Sequence, residues 1–142
     1  MKPIKSAPVD KAKLAVYRKR ADECVNIADQ AFRDSMWYGT CINAIHAAIA
    51  LSDCLSIFLR GTRYAGSNHE EAIDFYGTLG LKKDGFQKSI QNFGKLISIK
   101  NMAEYSDKTL TEKDADAALT TLKRFREFIV SLLPKVARLS ES

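Results

Sequence analysis

One carboxylate stands inside the most apolar run of the chain. Asp53 lies within Cys41-Ile-Asn-Ala-Ile-His-Ala-Ala-Ile-Ala-Leu-Ser-Asp-Cys-Leu-Ser-Ile-Phe-Leu59, where an unpaired acid is expensive to bury. It must find a cation or a donor, or keep its proton to higher pH. A second polar group has helical spacing: in Lys100-Asn101-Met102-Ala103-Glu104-Tyr105, Lys100, Glu104 and Tyr105 fall within a turn and a half and can project to one side. Lys100 and Tyr105 are therefore the candidate partners of Asp53. Structural pairing is the plainer role for that acid, and a functional role is the sharper one.

Other chemistries lack their residues. The two histidines, His46 and His69, are far apart in sequence, and neither has a Cys, Asp or Glu at ligand spacing, so no metal and no cofactor is expected. His46 on an apolar helix reads as a hydrogen-bonded core residue, and His69 as a surface or capping residue. Phosphate-cradling GxGxxG and GxxxxGK[ST] loops are absent, as is any nucleophile with a recognisable base beside it.

These residues need helices to hold them. The run over residues 41–59 is too long for a strand, lacks Gly and Pro, and is apolar on nearly every face, which predicts a helix buried on several sides. Its alanines let neighbouring backbones approach closely. Its length nears the ~20 residues that span a bilayer, but His46 and Asp53 inside it argue for the central helix of a soluble bundle with no membrane role. Residues 1–9, with two prolines and two lysines, read as a loose tail, and residues 10–142 as one domain. Leu14, Tyr17, Ala21, Cys24, Ala28 and Ala31 recur at helical steps and predict an amphipathic first helix. Asp34 or Ser35 is placed to cap the central helix, Gly39 to make its entry irregular, and Gly61 to end it. Ser67-Asn68-His69-Glu70 matches a capping box that opens a third helix carrying Ile73, Phe75, Tyr76 and Leu79, stopped by Gly80. Phe86, Ile90, Phe93 and Ile97 mark a fourth helix, with Gly94 a mild fault. Thr111 and Asp114 cap a fifth with Ala118, Leu122, Phe125, Ile129, Leu132 and Val136 on one face, and Pro134 should end or kink it. No strand is expected. The reading is all-α, a four- to five-helix bundle.

At 142 residues, 46% hydrophobic and 27% charged, the chain has the composition of one soluble domain with a real core. Its net charge of +5 admits an anionic partner, although acids are interspersed among the bases. Cys24, Cys41 and Cys54 are odd in number and form no CxxC pair, so they read as small buried thiols in a reducing compartment. The opening Met-Lys-Pro-Ile-Lys-Ser-Ala-Pro-Val has no apolar core of a signal peptide, and the cytoplasm is the expected location.

Three segments in order resemble a HEPN domain (higher eukaryotes and prokaryotes nucleotide-binding): Ala44-Ile-His-Ala-Ala-Ile-Ala-Leu-Ser-Asp-Cys54, Gly61-Thr-Arg-Tyr-Ala-Gly-Ser-Asn-His-Glu70, and Leu96-Ile-Ser-Ile-Lys-Asn-Met-Ala-Glu-Tyr-Ser106. The resemblance is to small bacterial HEPN-like proteins and covers most of residues 10–133. It implies a bundle that forms homodimers, with clefts lined by the late-helix polar motif. Catalytic members are metal-independent ribonucleases using an Arg followed, four to six residues on, by a His. In this sequence Lys100 stands near the Arg position, and Tyr105 or Glu104 near the His. Tyrosine, with a pKa of about 10, is a poor base at neutral pH, and lysine lacks arginine's bidentate fork for phosphate.

The expected function is thus a non-catalytic nucleotide- or RNA-binding module, acting with a nucleotidyltransferase partner in a toxin–antitoxin or defence setting. Lys100 would meet phosphate, Asn101 and Tyr105 would offer hydrogen bonds or stacking, Arg63 would add charge from the loop, and Asp53 completes the expected ligand-binding set. The alternatives are a degenerate metal-independent ribonuclease toxin using Lys100, Glu104 and Tyr105, and a structural protein–protein adaptor.

Overall fold

Alanine and glycine positions decide how closely the helices of this chain approach one another. In the computed structural model, which describes residues 3–135 and only the backbone of Tyr105, the order is β1 (Ser6–Pro8), a 3-10 turn (Lys11–Lys13), α1 (Leu14–Arg33), α2 (Trp37–Arg60), β2 (Thr62–Tyr64), α3 (His69–Gly77), α4 (Phe86–Tyr105) and α5 (Glu112–Leu132). The fold is an all-α bundle with one small two-stranded ribbon. Val136, expected on the last helix, lies outside the described residues.

Helix α2 is the centre. Thirteen of its residues are buried, among them Ala44, Ala47, Ala48 and Ala50, and it packs against α1, α4 and α5. Ala21, Ala28 and Ala31 of α1 and Ala115 and Ala118 of α5 are buried as well, and small side chains at such positions let helix backbones pack closely. By length and hydropathy α2 could cross a membrane, but 61% of its apolar window is buried in the bundle, the setting of a core helix.

The entry to α2 differs from expectation. Asp34 and Ser35 do not cap it; they end α1. Ser35 takes the left-handed conformation (φ 58), its N–H donates to the Phe32 carbonyl, and the Met36 N–H donates to the Ala31 carbonyl. That pair of bonds is a Schellman ending. Helix α2 then starts behind Met36 with no side-chain cap, and Gly39 sits regularly in its first turns, where a Cβ would come within 3.4 Å of that of Ala31. Gly61 ends α2 in the left-handed region (φ 66), as its placement predicted.

Asn68, not Ser67, caps α3: its side chain accepts from the N–H groups of Glu70 and Glu71. Thr111 and Asp114 form the expected capping box at α5. The residue before Pro134 is extended (Leu133, ψ 150), because the proline ring excludes the helical region one residue upstream, and α5 stops there.

Helices α3, α4 and α5 are joined by an aromatic cluster. The ring of Tyr76 lies 5.4 Å from Phe86, 5.7 Å from Phe93 and 5.5 Å from Phe125, and its hydroxyl is 2.7 Å from that of Ser89, which donates to the Phe86 carbonyl. Such pairs add about 0.5–1.5 kcal/mol each beyond the area they bury.

The absence of strands and the loose tail are both corrected. Ser6–Pro8 pairs antiparallel with Thr62–Tyr64, with Ala7 opposite Arg63. The Val9 N–H donates to Gly61 and the Ala65 N–H to Lys5. Three residues per strand carry almost no periodicity, so the ribbon leaves no pattern in the sequence. The physical gain is backbone pairing for a loop that would otherwise hold its N–H and C=O groups against the bundle unpaired.

Candidate functional site: the open face of the central helix

Helix α2 is covered on most sides, and the uncovered side carries His46 and Asp53. His46, Ile49, Ala50 and Asp53 recur at three- and four-residue steps and share one face. Two hollows flank that face and share Ile49 and Asp53. One, of about 280 Å³, is bounded by Arg20 and Cys24 of α1 with His46 and Ala50. The other, of about 140 Å³, is bounded by Ser52, Arg63, Tyr64, His69 and Ala72. Together they make a shallow cleft with an apolar floor and charged edges.

Asp53 is the electrostatic centre of the cleft. Burial pushes its carboxyl up to about 7, and the positive charges of Arg63 and then Arg20 pull the other way. Lys100, expected beside Asp53, does not act on it; Arg63 and Arg20 do, and the expected Tyr105 partner has its side chain outside the described residues. The reason is local: Asp53 sits near the C-terminal end of α2, where the chain turns into β2 and brings Arg63 back alongside. Arg20 reaches the same acid from α1, its guanidinium carbon held 4.9 Å above the Tyr17 ring.

The β2–α3 loop is fixed by its tyrosine. The Tyr64 hydroxyl donates to the Asn68 carbonyl (2.8 Å) and accepts from the Asn68 N–H (3.1 Å), and Glu71 lies 3.3 Å away. Burial raises the Tyr64 phenol above its ordinary range, with a further push from the Glu71 charge. Gly66 is required for this arrangement, since a Cβ there would fall within 3 Å of three Tyr64 ring and hydroxyl atoms. The Arg63 guanidinium donates to the Tyr64 carbonyl (3.1 Å), which holds it at the cleft edge.

His69, the first residue of α3, connects this cleft to the late polar motif. Its imidazole is held below its ordinary range by burial, then by the charge of Lys100, with His46 acting in the same direction and Glu104 opposing. Lys100 is paired within its own helix to Glu104 at 3.1 Å. His46 and Arg20 thus border one hollow and His69 and Arg63 the other, with Asp53 common to both, and Lys100 and Glu104 act on His69 from α4.

Of the residues singled out in sequence, Asp53 and Arg63 lie together. Lys100 and Glu104 lie beyond His69. Asn101 is half-buried on α4 and borders neither hollow, and the side chain of Tyr105 lies outside the described residues. His46 is exposed rather than in the core, because α2 presents its one open side there. Arg20, Ser52, Tyr64 and His69 were not recognised as site residues. The seven-residue step from His46 to Asp53 is the signal that marks the polar face of α2. Nothing in the sequence states that the Arg20 flank of α1 borders it.

Among the described residues no group of three metal-ligating side chains is present. Cys24 borders the larger hollow, but burial and then the Glu23 charge raise its thiol, which disfavours the nucleophilic thiolate. The arrangement can therefore bind an anion at its arginines and exchange a proton at Asp53. No family model matches the chain, and no curated protein matches it either.

Proposed function

We propose that the open face of α2 binds a nucleotide or a single-stranded RNA segment and that the protein is a non-catalytic, HEPN-like binding module. The observation that carries this reading is the pair Arg20 and Arg63 at the edges of a face whose floor is apolar and whose acid, Asp53, is half-buried, with Lys100 beyond His69 as a further cation. Guanidinium groups suit phosphate oxygens geometrically, and an apolar floor suits the face of a base. Asp53 near its own pKa at neutral pH can either donate to a ring nitrogen or accept from an exocyclic amine. The net charge of +5 supports the approach of a polyanion.

The test is equilibrium binding of a labelled single-stranded oligoribonucleotide across a salt series. Each phosphate contact contributes about 0.7 to the slope of log K against log salt for single strands. Arg20→Gln, Arg63→Gln and Lys100→Ala are each expected to weaken binding and to flatten that slope by about 0.7. Binding that ignores salt, or that survives all three substitutions unchanged, refutes the site. The same reading includes a homodimer, checked by light scattering on the free protein. A nucleotidyltransferase partner rests on the resemblance alone.

One observation favours a second reading, a metal-independent ribonuclease. His46 and His69 border the two hollows of the open face, and imidazole is the side chain most often used as a general acid or base. Cleavage of an oligoribonucleotide but not of its 2′-deoxy counterpart, abolished by His69→Gln, is the outcome that supports it. Intact RNA after prolonged incubation with the purified protein rejects it.

A further inference from the structure

The smaller hollow of the α2 face combines apolar walls with two adjacent polar side chains. Ile49 of α2, Ala72 of α3 and Tyr64 border it, together with Ser52 and Asp53. Its volume of about 140 Å³ admits one ring system and no more, since sites for whole drug-sized molecules begin at about 300 Å³. Ser52 is 6% exposed and brings a hydroxyl, able to donate or to accept, beside the carboxyl that follows it in the chain. Among the described residues, Asp53 is the one acid that borders either hollow.

Asp53 makes no ion pair among the described residues, and its oxygens are not among the side-chain atoms sealed from solvent without a partner. Two acceptors of one carboxyl group are thus open to the hollow. Arg63 and Arg20 favour the charged form, and at pH 8 a carboxyl that titrates near 7 is mostly ionised. A carboxylate accepts and never donates, so it calls for two neighbouring N–H donors on one flat edge. Guanine is the nucleobase that has them: its ring N1–H and exocyclic N2 amine lie side by side, with the O6 acceptor next in line. Adenine and cytosine place a lone pair beside their amine, and uracil has a single N–H between two carbonyls. Against each of those the carboxylate meets a repelling lone pair, and that repulsion adds to the discrimination.

We infer that the hollow bordered by Ile49, Ser52, Asp53 and Ala72 reads guanine, the Asp53 carboxylate accepting from N1–H and the N2 amine and the Ser52 hydroxyl donating to O6. The inference rests on the nucleotide-binding reading of this face and gives that face a base preference. The apolar walls take the faces of the ring, and the sugar and phosphate leave past His69 towards Lys100, whose charge acts on that imidazole. His69 is held below its ordinary range, so at pH 8 it brings no charge of its own to the hollow. A guanine-free strand has no such edge, and to it Asp53 is only a negative charge beside the arginines.

The test is equilibrium binding of the monophosphates of guanosine, inosine, adenosine and xanthosine to the full chain at pH 8, beside a labelled oligouridylate. Guanosine monophosphate is expected to bind about tenfold tighter than the adenosine and inosine forms, inosine lacking only the N2 amine. In Asp53→Asn the side-chain amide presents one acceptor and one donor, which match the N1–H and O2 of xanthine. That variant is expected to prefer xanthosine monophosphate to guanosine monophosphate, a gain that misfolding cannot imitate. Guanosine and adenosine monophosphates binding equally tightly, or a guanine preference that survives in Asp53→Asn, overturns the inference. If the oligouridylate still binds in a salt-sensitive way, either result removes the base preference alone. Loss of all binding overturns the nucleotide reading with it.

Discussion

Replacing Asp53 by asparagine tests the electrostatics of the cleft directly, because the two side chains have nearly the same shape and only one ionises. In the folded protein the Asp53 carboxyl titrates near 7 against 3.8 for an ordinary aspartate. The folded state therefore holds the proton more tightly than the unfolded chain does. Below about 3.8 both states are protonated and the acid carries no ionisation penalty. As pH rises towards 7 the unfolded chain ionises first, and stability falls by about 1.4 kcal/mol per pH unit. Above 7 both states are ionised and the loss is complete. Across that window the loss reaches roughly 4 kcal/mol as an upper bound, and solvent reaching the half-buried carboxyl reduces it to about 2–3 kcal/mol.

Asp53→Asn removes the ionisation and with it this loss. Urea unfolding at intervals from pH 4 to pH 8 is the assay, read as the difference in stability between the variant and the parent so that other carboxylates cancel. The variant is expected to match the parent near pH 4 and to exceed it by about 2–3 kcal/mol at pH 8. Oligonucleotide binding at the same face should tighten above pH 7 in the same variant, since a negative charge beside Arg63 and Arg20 is then removed. Parallel stability profiles across the whole range would falsify the assignment of Asp53 as a buried, proton-holding acid, whatever the binding result.

Truncating residues 1–9 removes β1 and its pairing with the strand that carries Arg63. Helical circular dichroism should persist while the Ala65 amide, which donates to Lys5, loses its protection from hydrogen exchange and oligonucleotide affinity falls as in Arg63→Gln. In the aromatic cluster, Phe93→Ala empties a fully buried site and should cost about 3–5 kcal/mol in urea unfolding. Tyr76→Phe removes only the hydroxyl bonded to Ser89 and should cost about 1 kcal/mol; equal losses in the two refute the packing. Burial pushes the thiols of Cys41 up to about 11 and Cys54 up to about 12. A thiol reagent at pH 8 should therefore modify half-buried Cys24 first, and the other two only as urea unfolds the chain.

Local chemistry made much of this molecule legible in one dimension. The buried helix over residues 41–59 announces itself by its length, its alanines and its lack of glycine and proline. Gly61, Pro134 and the Thr111–Asp114 box act on backbone within four residues of themselves, so their effects survive in any context. Asp53 was recognisable as costly because burial of that helix follows from its own composition. Which cations answer Asp53 was not recognisable: Arg63 arrives by a turn whose strand pairs with residues 6–8, and Arg20 by the packing of α1 on α2. Those are long-range placements, and the residues involved have no shared periodicity that would mark them. Ser35 shows the same limit at short range, since a serine can cap the next helix or close the last one, and only the packing of Ala31 beside Gly39 selects the latter. The sequence by itself determined the helices, their ends and the presence of an acid in an apolar face. The tertiary structure alone decided that this face stays open, because whether a helix side is covered depends on where its neighbours cross it.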